Sequence, residues 1–206
     1  LDPASSRYAD VSDAEREALW AEVHELYQGL DAILGQAMAH ADENTVLVLS
    51  SDHGAVPVNR QTRLNNLFAE RGWLEVKKDP ETGAPIVDWE HSRVVFLNMY
   101  SVYVHPDGLG GDWSRASGPA YEALRDEVIE ALQTVKDEDG TAPVASVVKW
   151  EEAAETRRIP ESRIGDLVVA NHRTALDIGV LMSQVGASDP SLPLMSPGRR
   201  PGGLGA

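Results

Sequence analysis

The sequence predicts an α/β fold, a sheet flanked by helices, and three observations carry that reading. A helical pattern over residues 12–38 runs within a few residues into the unbroken apolar stretch Val46, Leu47, Val48 and Leu49. Further along, short runs of β-type residues alternate with helical patterns, as in chains that lay helices on a sheet. The chain has 206 residues, 42% of them hydrophobic, enough to bury a real core.

Residues 1–11 read as a connecting loop. Ser12-Asp13-Ala14-Glu15 is a capping box, in which the hydroxyl and the carboxylate each satisfy the other residue's backbone donor. Apolar residues at Ala18, Leu19, Val23, Leu26, Tyr27, Leu30, Ile33, Leu34 and Met38 keep a three-and-four spacing. One stripe of this helix is therefore expected on the sheet, with Glu17, Glu22, Glu25, Gln28 and Asp31 in water. His24 and His40 have no patterned partner and read as surface residues.

Asp42-Glu43-Asn44 closes the helix, so Thr45 to Ser50 is expected as an inner strand, buried on both faces. In an open α/β sheet, ligands bind at the carboxyl ends of the strands, and this strand ends in Ser50-Ser51-Asp52-His53-Gly54. A carboxylate oxygen beside an imidazole nitrogen suits Zn²⁺ or another borderline divalent ion. Two donors do not complete a site, and an Asp-His pair also follows strands that bind nothing. Gly54 is expected to let the chain turn away without a Cβ clash. Ser50 and Ser51 lie outside any Gly-x-Ser-x-Gly elbow and read as strand-end residues.

After a loop with Pro57 and Asn59, Arg63 to Arg71 reads as a short helix ended by Gly72. The turn Lys78 to Ala84 predicts a hairpin between Leu74–Lys77 and Pro85–Trp89. Strands are expected at Val94–Leu97 and Ser101–Val104, with His91 and His105 beside them as ordinary loop histidines. Pro106 to Ser117 is a Gly/Asp/Ser-rich loop carrying Trp113, and Pro119 to Lys136 an amphipathic helix. A strand over Val144 to Trp150, a charged helix over Glu151 to Arg158 and a strand over Ile164 to Ala170 follow. Residues 1–187 carry these elements, and 188–206 read as a Gly/Pro-rich loop or disordered tail.

The run Ser51-Asp52-His53-Gly54, followed by Arg63-Leu64-Asn65-Asn66-Leu67-Phe68-Ala69-Glu70-Arg71-Gly72-Trp73-Leu74, resembles the alkaline phosphatase superfamily, in its type I phosphodiesterase and nucleotide pyrophosphatase branch. The resemblance covers residues 7–75 well and continues loosely through Gly165-Asp166-Leu167-Val168-Val169-Ala170 and Gly198-Arg199-Arg200-Pro201-Gly202-Gly203. It implies an alkaline phosphatase-like sheet and hydrolysis of a small phosphate ester across a phosphodiester or pyrophosphate bond. It also implies two divalent ions, zinc or else manganese, one of them held by Asp52 and His53. The nucleophilic Thr or Ser and the other early ligands would lie upstream of Leu1, which makes the chain the C-terminal part of such an enzyme.

The family's late histidine is matched here by Arg199, whose guanidinium has no lone pair for a metal but suits a phosphate oxygen. His172 is the fallback; alternatively, the late histidine lies beyond Ala206. The competing reading of the whole chain is a non-catalytic fragment or accessory module that keeps the fold without a complete metal site.

A net charge of −15 argues against nucleic acid or an anionic membrane as the main partner, because both repel a surface of that sign. No stretch reaches the ~18 apolar residues of a membrane span and none reads as a signal peptide, so a soluble chain is expected. The absence of cysteine excludes disulfides, thiolate ligands and thiol redox chemistry. No internal repeat or Walker-type phosphate cradle occurs.

Overall fold

The structure, a computed structural model, describes residues 1–3, 5–52, 54–57, 60–97, 100–136, 140–171, 176–177, 195–197 and 203–205. The chain divides into two compact units. One comprises Leu1–Asn59 and Arg200–Ala206, the other Arg60–Arg199.

The first unit is dominated by α1 (Asp13–Ala39). Its start is set locally. Ser12 Oγ accepts from the Glu15 amide, and the Glu15 carboxylate accepts from the Ser12 amide at 2.9 Å. The Ser12 hydroxyl, which donates to the same carboxylate at 2.7 Å, and then the Ser12 amide hold the Glu15 carboxyl below its usual range. After the helix, Asp42 organises a turn by accepting from the Asn44 amide and the Thr45 hydroxyl, at 3.0 and 2.6 Å. Strand β1 (Gly54–Val56) pairs antiparallel with β11 (Gly203–Gly205), inside the stretch expected to be loop.

Two expectations for this unit are corrected. The stripe of α1 does not lie under a sheet, since no residue of the helix is buried and Leu26, Tyr27, Leu30, Ile33 and Met38 are all exposed. Nor is residues 45–50 a buried strand: the segment has no regular secondary structure, and Val46, Val48 and Leu49 are 84%, 84% and 83% exposed. The physical reason is the same in both cases. A helix closes its own hydrogen bonds and survives without its partner surface, whereas a strand exists only through bonds to a neighbour.

The second unit holds the core. A four-stranded antiparallel sheet runs in the order β5 (Val94–Leu97), β6 (Ser101–Val104), β8 (Leu167–Asn171), β7 (Val144–Lys149). Helix α3 (Pro119–Thr134) packs Tyr121, Leu124, Val128, Ala131 and Leu132 into a cluster that includes Val102, Val104, Leu167 and Val169. Val168 points the other way, into a smaller cluster with Ala153 of α4 (Trp150–Arg157) and Ile164. Period-two alternation on β8 thus feeds two apolar layers, which is why its run reads as continuously hydrophobic.

Helix α2 (Leu64–Glu70) covers the outer edge of β5 and ends at Gly72, whose φ of +67° is the left-handed conformation of a helix stop. The hairpin β3 (Val76–Lys78) and β4 (Pro85–Val87) forms as expected. A third small sheet has the order β10 (Met195–Pro197), β2 (Arg60–Thr62), β9 (Leu176–Asp177). Among the described residues no helix is long and apolar enough to cross a membrane.

Candidate functional site

Asp52 is an exposed residue in a bend shortly before β1. His53 lies outside the described residues, as do His172 and Arg199. Gly54 does not act as the turn glycine expected of it. It opens β1 outside the left-handed region, and a Cβ placed there would meet open space.

The other histidines behave as ordinary side chains. His24 and His40 are exposed at the middle and the C-cap of α1. His91 Nδ1 lies 3.0 Å from Asp88 Oδ2, and Lys77 donates to the other oxygen of that carboxylate at 3.2 Å. The bond from His91, then the one from Lys77, holds the Asp88 carboxyl below its usual range. His105 Nδ1 accepts from the Asp107 amide at 3.3 Å. No group of three or more His, Asp or Glu placed to hold a metal ion occurs among the described residues.

The motif residues after Asp52 have clear physical roles. Asn65 donates from Nδ2 to the Phe96 carbonyl at 3.0 Å and accepts from the Phe96 amide at Oδ1, at 2.7 Å. One side-chain amide thereby takes the place of a neighbouring strand at the edge of β5, while Leu64, Leu67 and Phe68 fill the core beneath. Gly165 lies where β8 is entered beside β6. A Cβ there would stand 2.6 Å from the Val102 carbonyl oxygen, so glycine is required by close approach.

Asp166 follows and is completely buried. It accepts from the Val104 amide at 2.7 Å, the Tyr121 hydroxyl at 2.6 Å and the Arg115 guanidinium at 3.2 Å. Burial, and then the neighbouring Asp166 carboxylate, drives the Tyr121 hydroxyl far above its usual pKa and keeps it a donor. Arg115 also donates to the carbonyls of Glu161, Ile164 and Gly165, and its guanidinium carbon lies 4.4 Å from the Trp150 ring centroid. A charge buried this deeply is tolerated because every part of it is paired.

Arg125, also buried, bridges α3 to α4 through a two-pronged pair with Glu151 at 2.8 and 3.0 Å and a further bond to Glu122. Lys149 joins the cluster through Asp126 at 2.7 Å and Glu122 at 3.0 Å. Burial pushes the Glu151 carboxyl up most strongly, but the Arg125 bond, a backbone hydrogen bond and the Arg125 charge together outweigh it and leave Glu151 below its usual range. Sequence reasoning missed both arginines. The available signals were an arginine on the apolar face of α3, one residue from Leu124 and three from Val128, and an aspartate inside an otherwise apolar run.

The family model of type I phosphodiesterase / nucleotide pyrophosphatase matches residues 7–176. The chain belongs to this family. Two solved structures of phosphonoacetate hydrolase from Sinorhizobium meliloti 1021, in complex with phosphonoformate and with phosphonoacetate, are similar to it at 22% identity, with a TM-score of 0.35 in each case. Each match covers 72% of this chain and 32% of the other, so the chain spans about a third of the length of the structures it matches. No curated protein matches it. Within the type I phosphodiesterase/nucleotide pyrophosphatase family, the stretch from Ser51 to Leu74 now divides by role. Asp52 stands at the bend in the first unit, and Asn65 with its apolar neighbours builds the second.

Proposed function

We propose that this chain is part of the catalytic domain of a metal-dependent hydrolase of small phosphate esters, acting on phosphodiester or pyrophosphate bonds. The observation that carries the proposal is the family match over residues 7–176, which contains both Asp52-His53 and the Asn65 helix. Asp52 and His53 are assigned as ligands of one of two divalent ions, zinc or manganese. A carboxylate and an imidazole are the right donor types for either ion, and the remaining donors and the nucleophile are assigned to a part of the domain outside this chain. Bound there, the ions would supply charge neutralisation on the phosphoryl group.

The exposed apolar surfaces support the part-domain reading. Val46, Leu47, Val48 and Leu49 form an unbroken exposed apolar run, the composition of a strand covered on both sides. Contiguous exposed apolar surface of this kind belongs to an interface.

The test uses a longer polypeptide that carries the rest of the family domain. His53→Ala should lower its divalent metal content and reduce turnover of a nitrophenyl phosphodiester on the order of 100-fold, because a ligand of the charge-stabilising ion is lost. Unchanged metal content by elemental analysis would overturn the assignment. Full metal loading with no hydrolysis of any phosphate ester would favour the accessory-module reading instead.

A further inference from the structure

We draw no further inference here: the strongest candidate, the exposed apolar stripe of α1 together with the segment Val46 to Leu49, already enters the part-domain reading above, and nothing in the structure shows what covers it.

Discussion

Helices α1 and α3 make an instructive pair. Both carry apolar residues at three-and-four spacing, yet α3 buries six side chains and α1 buries none. The strands repeat the contrast. Val168 and Leu167 of β8 are 1% and 0% exposed, whereas Val46 and Val48, in a run of the same composition, are 84% exposed. Amphipathic pattern is a request for a partner surface, and hydrogen-bonded neighbours decide whether the request is met. For α3 the surface is its own sheet, whose β5 edge is met by Asn65.

This difference is broken most directly by truncating one side chain from each region. Phe68→Ala should cost about 3–5 kcal/mol of stability in the second unit, while Leu30→Ala on α1 should stay within about 0.5 kcal/mol. Urea unfolding followed by tryptophan fluorescence reads both, and comparable losses would mean that α1 is packed after all.

Asp166→Ala sharpens the same contrast on the polar side. It strands Arg115 and the Tyr121 hydroxyl beside an apolar layer, and breaking such a buried pair costs about 3–5 kcal/mol. A midpoint within experimental error of wild type would show that the network contributes nothing.

Asn65→Ala is expected to cost less, about 1–3 kcal/mol, the penalty for leaving buried donors and acceptors unmade at Phe96. Amide exchange at Phe96 should rise with it. If the Phe96 amide stays as protected as in wild type, Asn65 is not its edge partner.

The smallest effect is pH dependence. Glu122 is held below its usual range first by Lys149 and then, against burial, by Arg125, and Lys149 is raised by Asp126 and Glu122. The depressed carboxylate contributes stability that is present above about pH 4.3, the unfolded value, and is lost as pH falls through the lower folded one. The raised lysine contributes stability that is full below about pH 10.4 and is lost as pH rises through its higher folded value. Melting temperature should therefore fall at both ends, and Glu122→Gln should flatten the acid limb. An acid limb of unchanged slope in that variant would remove Glu122 from the account.

Local chemistry was legible from the residues alone. The Ser12-Glu15 box, the stop at Gly72, the hairpin around Asp79 to Ala84 and the strands Val94–Leu97 and Ser101–Val104 form where their residues place them. Each depends on dihedrals, or on bonds to the segment next along the chain. The candidate pair Asp52-His53 was likewise legible as chemistry, because its donor types are written in the residues, but its geometry was not.

What the tertiary structure alone decided was partnership. It sorted the two valine-rich runs into a buried strand and an exposed segment. It set the order and antiparallel pairing of β5, β6, β8 and β7, and it spent Arg115, Arg125 and Asp166 on the core of the second unit. Periodicity records which side chains avoid water, but not which distant segment meets them. That depends on contacts separated by tens of residues, such as Tyr121 with Asp166 or Asn65 with Phe96, to which no local pattern gives access.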